Sequence, residues 1–248
     1  MSADPLMLLL KSFNLTTMVQ IYDESLQRAE RENWGYRKFL GYLCENEFQA
    51  RHDRKIKRLL SRSKLPEGKT LAAIDEKLLP AKCRKMLPTL LDGGFVERAD
   101  NILAFGLPGG GKTHFLAALG FELVLRHQYS VLFTPTYKLV QELLQAKQNL
   151  ELSEQIRKYS SYDVIIIDDI GYVQHTREEM EVLFTFLAER YERKSLMISS
   201  NLVFSEWDKI FKDPMTTMAA IDRLVHHSII LEFNEGSIRE MQAKKNQK

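Results

Sequence analysis

The stretch Gly106-Leu107-Pro108-Gly109-Gly110-Gly111-Lys112-Thr113 sets glycines, an ammonium and a hydroxyl in the spacing G-x-x-x-x-G-K-[ST]. A triphosphate carries several negative charges that must be held without side-chain clash. Glycines let the backbone approach closely and turn its N–H groups inward, and a following helix adds partial positive charge at its N-terminus. Lys112 can then reach the β- and γ-phosphates, and Thr113 can offer its hydroxyl to Mg²⁺. The flanks supply the context such a loop needs. An apolar run, Ile102-Leu103-Ala104-Phe105, leads in, and an Ala/Leu-rich helical segment, Phe115 to Leu125, leads out.

A second constellation is Asp163-Val164-Ile165-Ile166-Ile167-Asp168-Asp169. Its run of β-branched residues reads as a strand buried on both faces of a parallel sheet. Two carboxylates at its end cannot be ordinary core residues, because unpaired buried charge is costly. They belong at the carboxyl edge of the sheet, where α/β folds bind ligands. There Asp168 would orient Mg²⁺ through its water shell, and Asp169 would polarise the water that attacks the γ-phosphate. With Lys112 and Asp168 56 positions apart and in this order, the pair of motifs points to a P-loop nucleoside triphosphatase.

Three further residues have two readings each. Asn201 follows the apolar run Leu196-Met197-Ile198 and either reaches the γ-phosphate or the attacking water, or caps the next turn. Arg223 is either a surface ion-pair partner or a finger that reaches a neighbouring subunit's nucleotide. Arg239 either serves the nucleotide of its own subunit or lies in a mobile tail. His226 and His227 read as packing or surface residues, without a partner at catalytic spacing.

The elements that must position these groups follow from periodicity. Strands are expected at 101–105, 131–134, 164–168, 195–199 and 228–233, with helices at 112–126, 136–148, 176–193 and 214–226 between them. Alternation of this kind predicts a five-stranded parallel sheet with helices on both faces. Ahead of it, residues 4–63 are expected to be helical, with Tyr36 to Arg62 forming one long helix or two. The expected organisation is a helical N-terminal domain over 1–68, a connector over 69–94, an ATPase domain over 95–240 and a basic tail over 241–248. Within the connector, Cys83 to Leu91 is expected to be helical and to stop at Gly93.

Composition sets the outer bounds. The chain has 248 residues, 44% hydrophobic and 27% charged, as in an ordinary globular protein. No apolar run approaches the roughly 20 residues that span a membrane. Met7-Leu8-Leu9-Leu10, with Asp4 ahead of it, does not make a signal peptide. Two cysteines, Cys44 and Cys83, suggest neither a disulfide framework nor a metal site, and fit a reducing cytoplasmic setting. The net charge of +2 is uninformative, but residues 51–69 hold eight Lys/Arg against two Asp/Glu. Arg51, Lys55, Arg58 and Arg62 fall on one helical face. Such a stripe is either a solvated face or a surface for nucleic-acid phosphates.

These motifs resemble the IstB family, the ATP-binding helper proteins of insertion-sequence transposons. The resemblance runs through Asn101 to His114, Ile165 to Tyr172, Ser199-Ser200-Asn201-Leu202 and Asp222-Arg223-Leu224-Val225-His226-His227, and it covers nearly the whole chain. The family is similar to DnaC helicase loaders within the AAA+ class. The resemblance implies that Gly106, Gly109, Gly110, Gly111, Lys112, Thr113 and His114 bind ATP, and that Thr113 and Asp168 hold Mg²⁺. It makes Asn201 the polar sensor, Arg223 the finger and Arg239 a second nucleotide sensor. It implies a nucleotide-dependent homo-oligomer that grips duplex DNA through Arg51, Lys55, Arg58 and Arg62 and activates a transposase. The alternative client is a replicative helicase. Two departures stand out. Asp169 occupies a position where many AAA+ proteins have Glu, which predicts slow basal hydrolysis. Little chain follows the last expected strand, so no large helical lid is expected there. Rivals from other classes are a small-molecule kinase, for which no Arg-rich lid lies between Lys112 and Asp168, and a module that holds ATP without turnover.

Overall fold

The computed structural model describes residues 4–171, 176–202 and 224–234. The chain divides into two compact units, Met1–Arg58 and Leu59–Lys248.

The N-terminal unit is built from α1 (Pro5–Ser12), α2 (Thr16–Arg31) and α3 (Tyr36–Ser63), the division between units falling within α3. Asp4 caps α1 by accepting from the Leu6 N–H, and Pro5 supplies a preset φ at its first position. Leu15 precedes α2 and has no side-chain oxygen to cap it. The carboxylate of Glu47 on α3 takes that role, accepting from the Thr17 and Met18 N–H groups at 2.7 and 3.0 Å. Arg51 and Arg54 hold the other Glu47 oxygen at 2.8 and 3.2 Å. Apolar packing between the helices comes from buried Met18, Ala29 and Leu43, with Tyr22 edge-on to Phe39.

Burial alone would raise the Glu47 pKa. The Arg51 guanidinium and the two N–H donors outweigh it and hold the carboxyl below the usual glutamate range. A depressed folded pKa stabilises the unit fully above the ordinary glutamate pKa, and that stability is lost as pH falls through the folded value. Glu47→Gln should therefore destabilise the start of α2 by about 2 kcal/mol at neutral pH. Hydrogen-exchange protection of the α2 amides should drop roughly 30-fold at pH 7, with the gap closing under acid conditions. Equal protection at pH 7 would remove Glu47 as the cap.

The second unit is an α/β fold with a five-stranded, all-parallel sheet in the order β2-β3-β4-β1-β5. The strands are β1 (Asn101–Gly106), β2 (Val131–Pro135), β3 (Val164–Ile170), β4 (Ser195–Ser200) and β5 (Ser228–Phe233), matching the five expected segments. Side chains of β3 alternate between two cores. Ile165 and Ile167 face α7 (Thr136–Gln148), α8 (Leu152–Ser160) and α9 (Arg177–Arg190), while Val164 and Ile166 face α4 (Ala81–Leu91) and α6 (Lys112–His127). Both faces being covered, the strand has no polar alternation, which is why it reads as a continuous apolar run. Arg190 ties the starts of β3 and β4 together. Its buried guanidinium, which burial pushes down to about 10, donates to the carbonyls of Tyr159, Tyr162, Asp163 and Ser195.

Several boundaries differ from the sequence expectation. The compact units part inside α3 rather than at 68. Within the segment expected as a connector, α4 covers the helix expected over Cys83 to Leu91 and starts two residues earlier, after two short 3₁₀ turns, Leu71–Ala73 and Glu76–Leu78, and the short α5 (Gly94–Glu97) follows it. Leu79, Cys83, Leu87 and Leu90 from this segment are buried in the α6-side core, so it forms part of the second unit's packing. The one-turn α5 and amphipathic α8 have no counterpart in the expected elements. In α8, Leu152, Ile156 and Tyr159 turn one face inward among polar neighbours. The expected helix over 214–226 falls, up to residue 223, outside the described residues.

Candidate nucleotide site

The site lies where β1, β3 and β4 end. β1 closes with Gly106 at φ 146, in a conformation reserved for glycine, and a Cβ there would sit 2.3 Å from the Phe233 carbonyl of β5. The loop returns through Gly111, φ 92, directly into α6, so the N–H groups of the first helical turn face the loop's concave side. Lys112 opens α6 and is 5% exposed. Its ammonium donates to the carbonyls of Gly106 (2.6 Å) and Leu107 (3.0 Å) and to Asn201 Oδ1 (2.7 Å). These are acceptors that phosphate oxygens can replace.

Asn201 follows β4, which pairs with β3. Its Nδ2 donates to Asp169 Oδ1 at 2.6 Å. One amide thus joins the loop lysine to the acid at the end of β3, using both its donor and its acceptor. Asp168 Oδ1 accepts from Thr113 Oγ1 at 2.8 Å and from Ser199 Oγ at 2.6 Å. The structure therefore brings Lys112, Thr113, Asp168, Asp169 and Asn201 into one hydrogen-bonded network. Burial, and next the adjacent Asp168 carboxylate, push the Asp169 acid above its ordinary value against the pull of Lys112. A base of raised pKa holds a proton more firmly, which suits the acceptance of one from water.

A cavity of about 280 Å³ opens on this network. One wall is Pro108, Gly109 and Gly111 of the loop and Lys112, Thr113 and His114 at the start of α6, with Asp169 and Asn201. A second part of the lining is Lys69, Ala73, Ile74, Asp75, Leu78 and Leu79. His114 Nε2 meets the Thr70 carbonyl at 3.2 Å, joining the walls. Sequence reasoning misses this second wall, although the apolar spacing of Leu71, Ile74, Leu78 and Leu79 was its available signal. It also misses Ser199, which reads only as one of the polar residues ending a strand.

Lys55, Arg58 and Arg62 are exposed on α3. Arg51, on the same helix, is bound to Glu47 and the Asn14 carbonyl. Arg223 and Arg239 lie outside the described residues. Among the described helices, none is long and apolar enough to cross a membrane.

A glycine loop between β1 and α6, an acid pair ending β3 and the strand order β2-β3-β4-β1-β5 define a P-loop ATPase of the AAA+ class. The fold is shared with AMPPCP-bound DnaA from Aquifex aeolicus, with a TM-score of 0.56 at 18% identity, covering 74% of this chain and 56% of that one. More specifically, the chain belongs to the IstB-like ATP binding protein family, whose pattern matches residues 8–246. It is 39% identical over 237 residues to an insertion sequence ATP-binding protein of Sinorhizobium fredii, covering 95% of this chain and 79% of that one. It is 37% identical over 220 residues to the protein of Pseudomonas aeruginosa named for ATP binding and insertion sequence IS21, covering 89% and 83%.

Proposed function

We propose that this protein is an ATP-dependent DNA-binding regulator of transposition, which assembles on duplex DNA with ATP and activates or targets a partner transposase. The observation that carries the reading is the Lys112–Asn201–Asp169 chain in the lining of the cavity, in a family whose relatives are named for insertion sequences. That family context favours a transposase over a replicative helicase as the client.

ATP enters with its phosphates at the loop and its base toward the apolar wall of Ile74, Leu78 and Leu79. Lys112 exchanges its carbonyl and amide acceptors for β- and γ-phosphate oxygens. Thr113 and Asp168 are oxygen donors already adjacent, a set that fits a hard cation such as Mg²⁺. They would hold that ion, which supplies charge neutralisation across the β- and γ-phosphates. Asp169 accepts the proton of the attacking water, and Asn201 fixes the carboxylate that does so. Arg223 of a neighbouring subunit completes the site, so turnover depends on assembly. Hydrolysis then resets the oligomer on DNA, in the cytoplasm. Arg239 is a further candidate for binding the nucleotide.

The exposed basic residues of α3 neutralise DNA phosphates in this reading, giving sequence-tolerant and salt-sensitive binding. Arg51 braces Glu47, so the informative variant leaves it intact. A Lys55→Ala, Arg58→Ala, Arg62→Ala protein should bind duplex DNA more weakly, with its log–log salt slope reduced by about 0.9 for each phosphate that is no longer neutralised. Fluorescence-anisotropy titrations at several salt concentrations, with and without an ATP analogue, measure this. Unchanged affinity and slope in the folded triple variant would place DNA binding elsewhere.

A further inference from the structure

Ser199 is the penultimate residue of β4 and is 1% exposed. Its hydroxyl makes two bonds at once. It donates to Asp168 Oδ1 at 2.6 Å and accepts the Asp169 N–H at 2.8 Å. The second bond is needed because β3 and β4 lose register between Ile167 and Ile170. Asp169 sits in that irregularity at φ 65, a left-handed conformation that a residue with a Cβ seldom adopts. Its N–H finds the serine oxygen where a regular ladder would offer a backbone carbonyl.

The hydroxyl has one proton. With the Asp169 N–H on its oxygen, that proton is committed to Asp168. Ser199 thus fixes the carboxylate of one acid and the backbone of the next. Thr113 also donates to Asp168 Oδ1, but its oxygen is the one a nucleotide-bound cation would claim, whereas Ser199 has no such second task.

We propose that Ser199 is a positioning residue of the ATPase reaction, holding Asp168 for cation binding and Asp169 in the strained turn that aims its carboxylate at Asn201. The inference rests on the ATPase reading above. It predicts that losing the hydroxyl separates nucleotide binding, which the loop and Lys112 provide, from cation use and turnover.

The test compares wild type with Ser199→Ala, Ser199→Cys and Ser199→Thr. Cysteine keeps the volume but is a poor donor, while threonine keeps the hydroxyl. In nucleotide-free protein, hydrogen exchange in the peptide spanning 164–171 should quicken at least about tenfold in the Ala and Cys variants and recover in Thr. Affinity for a fluorescent ATP analogue in EDTA should stay within about twofold of wild type. The Mg²⁺ concentration giving half-maximal hydrolysis should rise about tenfold, with kcat falling about tenfold or more. Unchanged exchange and an unchanged Mg²⁺ midpoint in Ser199→Ala would overturn the proposal. So would loss of analogue binding in EDTA with a lowered melting temperature, which marks a purely structural serine. If wild type itself fails to bind the analogue, the ATP-site reading fails instead, and the exchange data still decide whether Ser199 holds the Asp169 turn.

Discussion

Lys112→Ala protein should lose ATP affinity by about 100-fold or more, since a buried ammonium that can make charge-assisted bonds to two phosphates is removed. The side chain needs little reorganisation to reach phosphate. It already lies 5% exposed, pointing across the loop with its ammonium on carbonyl and amide oxygens. Its removal also deprives the loop of the bonds to Gly106 and Leu107, so a melting curve without nucleotide must accompany the binding titration. Asp169→Asn is the complementary change. An asparagine there can still accept from Asn201 Nδ2, preserving the local hydrogen bond, but it cannot take a proton from water. Binding should persist while turnover falls about 10²- to 10⁴-fold, the usual worth of a general base. Wild-type affinity in Lys112→Ala would sink the loop assignment. Undiminished turnover in Asp169→Asn would move the base to another group.

The sequence showed those parts of the site whose physics is local. The glycine loop has to be written in glycines because its φ values and the approach of Phe233 allow little else. The β3 run is apolar at every position because both faces are covered, and this marks its acidic end as exceptional. Asn201 was legible as a candidate only on the condition that its strand lies beside that of Asp168, and the pairing of β3 with β4 meets that condition.

What escaped depends on tertiary neighbours that no spacing rule encodes. Ser199 matters because of a register shift and a left-handed residue on the neighbouring strand, neither of which leaves a mark in its own segment. The wall of Ile74 and Leu78 sits in a stretch broken by Pro, Asp and Lys that resembles a linker until it packs on the nucleotide-binding unit. Arg51 shows the reverse case. Helical periodicity puts it in the basic stripe, but only the fold shows that buried Glu47 claims its guanidinium. A charge pattern identifies a face, and a tertiary partner decides what each member of that face does.

Arg223→Ala protein should bind ATP normally yet lose hydrolysis by about 10³-fold, comparable with the lower range for arginine fingers in GTPases. If the finger acts between subunits, the defect is a property of the interface rather than of one chain. Mixing then gives a clear expectation. The Arg223→Ala subunit keeps Lys112, Asp168, Asp169 and Asn201 and can accept a finger. The Asp169→Asn subunit cannot hydrolyse efficiently but can donate one. An equimolar mixture of two nearly inactive proteins should therefore recover a substantial part of wild-type activity, through interfaces that join an intact site to an intact arginine. Recovery should grow with total protein concentration and with duplex DNA, since both promote assembly. Sedimentation of the mixture with an ATP analogue establishes whether mixed oligomers form. Mixed oligomers without recovered hydrolysis would confine Arg223 to its own subunit or to a role outside the chemistry, and would separate ATP turnover from assembly on DNA.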